Sequence, residues 1–524
     1  VDTSAPPYRT AIYTGVVLLL ALVLLLPVAL TNVAPLVDYP AHVARIHILK
    51  DYEGSPALQT FYALNWAYQA NLAFDVVGRY GLVWLDAPSA GRVFLGMALI
   101  LNFAGVLLVH RVVHGRTSAF PLLVVLFLYN RILLGGLINY LFTLGLAFVF
   151  FAIWLAARER AWPWPLKMLA ATAGALVLYF GHLTAFGVFA LLVGGYEIDA
   201  FFRDRDRAMP QRLLRLIASG LVFVPPIAVA LFLSASTQQP TTTYYGSLAQ
   251  KLTAPMNLFY AYNLPFDAAS FAAVLLVLGG MAALRQVRVA PRLALPVGLL
   301  VLAYLLTPNV LFDSHGADRR LTIAIAQAGL CMLDWAAPVA AGRRRAQQAA
   351  TALLLALFLV RTAFLAQHWH QADRVYVAYL VAFDQLPRGA RLSVVVGHPF
   401  AETTVHPPLN FVGTLAVVRR DAFVPNLWAN PAHQSVVMRP PFLGLAQAGP
   451  PRLLDPPVLA RIAADPAFAA RANPYAPANL AGYDHLLVSR GSAIPFPEPP
   501  ADTAGLREIA RGPDFRLYAI DGAR

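Results

Sequence analysis

Long apolar runs separated by short polar joints fill the chain from its start to Leu365. The first, Ala11 to Val33, follows Arg9 and is long enough to cross a hydrocarbon core of roughly 30 Å, so it reads as a retained span, with a cleaved leader the alternative. Further runs near 92–112, 118–133, 137–157, 168–181, 183–202, 213–233, 268–284, 293–309, 320–338 and 348–366 bring the predicted transmembrane helices to eleven. Past Leu365 the pattern changes. His368-Trp369-His370 is expected to anchor at the membrane boundary. Val375 to Leu386 has helical spacing and stops at Pro387-Arg388-Gly389. Arg391–Gly397, Tyr483–Ser489 and Phe515–Ile520 are short runs bounded by turn residues, as strands of a small sheet are. The pattern predicts a polytopic α-helical membrane protein, 1–366, followed by an α/β domain over 367–524.

Composition agrees with the pattern and excludes a soluble globule: of 524 residues, 58% are hydrophobic and only 13% charged. The net charge of +13 is not a nucleic-acid footprint, because much of the Lys and Arg lies in short loops between runs. Arg111 and Arg116; Arg158, Arg160 and Lys167; Arg203, Arg205, Arg207, Arg212 and Arg215; Arg285, Arg288 and Arg292; and Arg343, Arg344 and Arg345 occupy every second loop. The positive-inside rule puts those loops in the cytoplasm. The alternation holds if 34–91 makes no net crossing, lying outside as two surface helices. The N-terminus is then cytoplasmic, the loop 234–267 external, and the C-terminal domain periplasmic on a bacterial inner membrane. The single cysteine, Cys331, excludes an intramolecular disulfide. No glycine-rich nucleotide fingerprint follows any strand.

The other loops carry a different chemistry: Asp38, His42, Arg45, Asn71, Asp75, Arg79, Asn130, Arg131, Asn139, Tyr140, His182, Tyr244, Tyr245, Lys251, Asp313, His315, Asp318, Arg319 and Arg320. Polar groups at membrane depth are costly unless they face a cavity or one another, so their collection on one side points to a site there, with ordinary loop polarity the alternative. Leu36 to Leu49 is the densest stretch. With Pro40 in the first turn of a helix, Asp38, His42 and Arg45 fall on one face. That face is either a reactive constellation or the solvated side of an interfacial helix. Asp38 and His42 at i and i+4 could also share a divalent metal, with Asp75, His182 or His315 as a third ligand.

An Asp just after the first span, surface helices behind it, about eleven spans, a long loop after the seventh and a C-terminal α/β domain resemble the GT-C superfamily of integral-membrane glycosyltransferases. Protein O-mannosyltransferases and lipid A aminoarabinose transferases are the nearer likenesses, and this chain looks like a divergent branch. Those relatives usually carry an acidic pair at the loop, whereas Tyr39 follows Asp38 here. The resemblance implies sugar transfer, with inversion, from a polyprenyl-phosphate donor to an acceptor outside the membrane. Asp38 then serves as the base, with Asp75 and His42 as further catalytic candidates; Asp75 could instead be the salt-bridge partner of Arg79. Lys251, Arg319, Arg320 and Arg131 are the candidates for holding the lipid phosphate, with helix-end snorkelling the alternative for Arg320. Arg45, Asn71, His182, Tyr244, Tyr245 and His315 would line the substrate pocket. Expected partners are the lipid donor, membrane lipid and an acceptor glycan, lipid or protein, and not nucleic acid. A non-catalytic assembly protein or a lipid-linked substrate transporter are the competing classes; near charge-free span interiors and the absence of a repeat weigh against transport.

Overall fold

The structure, a computed structural model, describes residues 7–234, 242–311, 314–337, 340–397, 407–427, 429, 434–448, 460–461, 464–468, 477–490 and 505–521. Asp313 of the loop set lies outside the described residues. Among the described residues seven helices are long and apolar enough to cross a membrane: Thr10–Ala29, Ala87–His114, Ile138–Glu159, Trp164–Gly181, Leu183–Arg203, Leu264–Ala283 and Ala341–Phe383. Met209–Leu221 and Val224–Leu233 add an eighth if taken as one span bent by 43°. The break, at 222–223, immediately precedes Pro225-Pro226 in the first turn of the second helix, two consecutive residues that lack the N–H a continuous helix needs.

The other three predicted runs are shorter than spanning helices. Phe120–Phe127 is a 3-10 helix, and a separate turn, Arg131–Leu134, begins where the Asn130 side chain accepts from the amides of Ile132 (2.8 Å) and Leu133 (3.1 Å). Asn130 therefore starts a new helix inside what reads as one apolar run. Ala294–Leu306 forms a 13-residue helix. The run 320–338 divides into the helix Ala317–Met332 and the strand Leu333–Trp335, antiparallel to Val287–Val289.

Ala341–Phe383 has 43 residues, which at about 1.5 Å per residue is roughly twice the hydrocarbon thickness. It absorbs the helix expected at 375–386, so position 366 is a point along one helix and not a break. Trp369 is fully buried with its ring edge-on to Tyr129, centroids 5.7 Å apart, and is thus a packing residue where an interfacial anchor was expected. Within the same helix Arg361 pairs with Asp267 at 3.2 Å. The spans are less charge-free than the sequence suggested, but this buried charge is compensated.

The segment after the first span was expected to lie on the membrane surface. Its helix Tyr39–Asp51 is instead buried along most of its length. The C-terminal segment covers it: Tyr62–Leu64 pairs antiparallel with Val436–Met438, and His47 lies 2.8 Å from Asp421 at the end of the helix Leu415–Arg420. The same segment holds a four-stranded mixed sheet. Leu392–Gly397 runs parallel to His485–Arg490, which is antiparallel to Phe515–Ile520, itself antiparallel to Leu506–Gly512. The first three match expectation to within two residues. The fourth, Leu-Arg-Glu-Ile-Ala-Arg-Gly, is a half-exposed edge strand whose charges mask its alternation.

Candidate active site

Asp38 is positioned by its backbone. Val37 N donates to the Leu134 carbonyl (3.0 Å) and Asp38 N to that of Gly135 (3.3 Å), clamping the start of the Tyr39 helix against the turn 134–136. Gly136 has φ +89°, and a Cβ there would sit 2.6 Å from Asp38 N, so the clamp requires glycine twice over. Pro40 occupies the first turn, as the sequence implies, but the Asp38 side chain makes no capping bond. Its carboxylate is buried, which pushes its pKa up to about 7 despite the opposing charges of Arg320 and Arg45.

On the next turn Arg45 Nη2 lies 2.9 Å from His42 Nδ1. A guanidinium only donates, so Nδ1 accepts and the ring proton is on Nε2, which faces the Gly136 backbone. Burial, together with the Arg45 charge, holds His42 well below its ordinary pKa and keeps it neutral. With both ring nitrogens engaged, His42 offers no lone pair for the metal it was expected to share with Asp38. Arg45 Nε donates to Asp75 Oδ1 at 2.8 Å, and Ser435 donates to Asp75 Oδ2 at 2.6 Å, all three residues being buried. Asp75 is therefore the partner of Arg45 and not of Arg79, which binds the Leu49 carbonyl and Glu53 (3.3 Å).

Arg320 completes the group. Its Nη2 donates to Ser314 Oγ (2.6 Å) and the His315 carbonyl (3.1 Å), while its own carbonyl accepts from Tyr140 (2.6 Å). The residue is buried and its Nε has no hydrogen-bond partner among the described residues, so it is not a snorkelling helix end. The Tyr140 ring meets His182 at 5.2 Å. His182 Nδ1 accepts from Thr184 N (3.1 Å), capping the helix Leu183–Arg203, and burial with the charge of Arg320 keeps the imidazole neutral.

Beside this group Arg131 lies over the ring of Tyr260, 5.5 Å from its centroid. Burial and the neighbouring charge of Arg319 lower its pKa. Neither Arg131 nor Arg319 has a carboxylate partner among the described residues. Lys251 is occupied differently: its three donors go to the carbonyls of Tyr304 (3.1 Å) and Thr307 (2.7 Å) and to Asp318 (3.2 Å). It buttresses the turn before Arg319.

The remaining pocket candidates are peripheral. Asn71 adopts φ +77° and accepts from Asn139 Nδ2 through its carbonyl (2.8 Å) and side chain (2.9 Å), holding the loop to the Ile138 helix. Tyr244 and Tyr245 are exposed, Tyr244 bonding Val310 through its backbone, and the His315 ring is exposed. Sequence reasoning missed Ser435, Ser314, Tyr260 and Gly136; of these only the Gly135-Gly136 pair carries a local signal.

A convergent His/carboxylate group does occur elsewhere, formed by His110, His114 and Asp334. There Asp334 is already bound by Arg116 (2.6 Å), Arg288 (3.0 Å) and Ser118 (2.5 Å), so the two guanidiniums occupy the charge a divalent cation would need.

No family model matches the chain, and no curated protein matches it. The likeness to known proteins is one of fold. Among solved structures it is similar to ArnT, the lipid A aminoarabinose transferase, from Cupriavidus metallidurans bound to undecaprenyl phosphate. Identity is 12% and the TM-score 0.53, with 98% of each chain covered. The apo ArnT structure gives 14% and 0.49, covering 97% of this chain and 98% of that one. The arabinofuranosyltransferase AftD from Mycobacteria gives 16% and 0.42, with 99% of this chain matched to 40% of AftD.

Proposed function

We propose that the protein transfers a sugar from a polyprenyl-phosphate donor to an acceptor hydroxyl at the face carrying Asp38, with inversion. The acceptor oxygen attacks the anomeric carbon, the bond from that carbon to the phosphate oxygen breaks, and its electron pair leaves on the phosphate. Asp38 takes the hydroxyl proton. A carboxylate whose pKa lies near 7 is well matched to that task. Arg131, Arg319 and the free Nε of Arg320 meet the charge returning to the phosphate. The observation that carries this reading is the cluster of cationic side chains, without carboxylate partners among the described residues, next to the buried carboxylate of Asp38 with its raised pKa. ArnT bound to undecaprenyl phosphate, sharing the fold, supports the lipid class of the donor.

Turnover of radiolabelled polyprenyl-phosphate sugars by purified protein tests it: release of polyprenyl phosphate with sugar transfer is expected, and binding without transfer in any acceptor mixture would favour a binding protein. A topology with the N-terminus inside and the C-terminal segment outside, hence an odd number of crossings, belongs to the same proposal. On a Cys331-free background, Arg388→Cys should react with impermeant maleimide in intact cells and Arg344→Cys should not; the reverse would sink the topology.

A further inference from the structure

The C-terminal segment does more than roof the site. Its strand Val436–Met438 pairs with Tyr62–Leu64, and the Ser435 carbonyl accepts from Asn65 N at 2.7 Å, so the ladder fixes Ser435 over the Tyr39 helix. The Ser435 hydroxyl is wholly buried and spends its proton on Asp75 Oδ2. We propose that Ser435 is a positioning residue for the Asp38 carboxylate, acting through Asp75, Arg45 and His42. The inference rests on Asp38 being the base of the proposed transfer.

Each link limits the next. Asp75 can orient Arg45 only while its second oxygen is held, because a buried carboxylate with one free oxygen turns toward any donor it can reach. Arg45 places Nε on Asp75 and Nη2 on His42, and that pair of bonds fixes where its charge lies relative to Asp38. His42, with Nδ1 accepting, is left with Nε2–H facing the Gly136 backbone, and Gly136 packs against Asp38 N. The charged or titratable groups facing Asp38 are Arg45 and His42 from its own helix and Arg320 from the Ala317 helix. Tyr140 and His182 stand around Arg320, and Asp75 lies behind Arg45. The turn 134–136 presents only backbone. Of the two guanidiniums, that of Arg320 is held by Ser314 and His315 nearby in the chain, whereas that of Arg45 is tied through Asp75 to Ser435, so the cover is part of the catalytic apparatus.

The sign of the effect follows. Asp38 must be ionised to take a proton, and Arg45 favours the ionised form. Loosening Arg45 therefore moves the acid limb of the pH–rate profile to higher pH. Ser435→Ala should shift that limb upward and lower kcat roughly threefold to tenfold at pH 7, with donor KM within about twofold. Ser435→Thr, which keeps the hydroxyl, should restore both. A Ser435→Ala enzyme with the parent's kcat and acid limb overturns the proposal, as does a Thr variant no better than Ala. Should the Ala variant fail to fold, Ser435→Cys, of similar size but a weaker donor, must show the same upward shift. An activity-independent readout separates this from the transferase reading: ¹⁵N NMR of histidine-labelled protein should find His42 as the Nε2–H tautomer in the parent and a mixture in Ser435→Ala. A parent without turnover whose His42 tautomer still responds to Ser435 refutes the transferase and retains the network; an unresponsive tautomer refutes the network.

Discussion

Asp38 and Asp334 are both buried carboxylates, yet their surroundings drive their pKa values apart. They sit near opposite ends of the Ala87–His114 helix: Tyr39 packs on Gly91, while Asp334 faces His110 and His114, a separation of roughly 30 Å at about 1.5 Å per residue. Burial pushes both carboxyls up. At Asp334 the polar groups of His110, Ser118 and Arg116 overcome it and hold the carboxyl far below its usual range. At Asp38 no donor among the described residues binds the side chain, and the charges of Arg320 and Arg45 offset burial only in part. The difference lies in the donors: a carboxylate whose oxygens are filled is a structural anion, and one left unfilled among cations is a proton acceptor in waiting.

That contrast can be broken most sharply by Asp→Asn at each place. Asp38→Asn should cost about 10²–10⁴ in turnover while undecaprenyl phosphate binding stays close to the parent's, since the base is lost and the cations remain. Asn is as good a helix cap as Asp, and Asp38 makes no capping bond, so a purely structural role would leave activity untouched. Asp334→Asn should do the reverse, keeping kcat per folded molecule while destabilising the protein by roughly 1–3 kcal/mol, because the buried site loses its charge-assisted bonds while solvent screens the partly exposed Arg116 and Arg288. An inactive but stable Asp334→Asn protein would refute the division of roles.

Smaller effects sharpen the cationic side. On the proposed function, Arg319→Ala and Arg131→Ala should each weaken polyprenyl-phosphate binding about 10- to 100-fold, the loss of one charge-assisted contact. Lys251→Ala should act on stability more than on affinity, because its donors are internally satisfied. Equal affinity losses at Lys251 and Arg319 would mean that the ammonium leaves Asp318 to reach the lipid.

The mildest test is pH. Turnover should rise with pH through about 7 as Asp38 ionises. Stability should respond oppositely at the two carboxylates. Between the unfolded carboxyl value near 4 and about 7, the native protein binds more protons at Asp38, so its contribution to stability falls as pH rises. Asp334, lowered in the fold, contributes stability that is present above about 4 and is lost as pH falls below it. Thermal midpoints from pH 3 to 8 should therefore rise out of acid and flatten or decline toward neutrality in the parent, with the decline removed in Asp38→Asn.

The sequence alone determined the membrane class, most of the long helices, three of the four strands of the C-terminal sheet and the grouping of Asp38, His42 and Arg45 at the start of one helix. Those features are written in local periodicity and in spacing along one helix, where 3.6 residues per turn converts sequence into geometry. It also selected Arg131, Arg319 and Arg320, because charge at the ends of apolar runs is expensive and visible. Only the tertiary structure decided what each polar group is for. Asp75 turned from Arg79 to Arg45, Lys251 was spent on Asp318, and Trp369 went into the core. Ser435 joined a helix 384 to 396 positions earlier in the chain, the distances to Asp51 and Tyr39. The physical reason is that hydrogen-bond and ion-pair partners are chosen by three-dimensional proximity and by the need to satisfy every buried donor and charge. Neither condition leaves a trace in the order of residues along the chain.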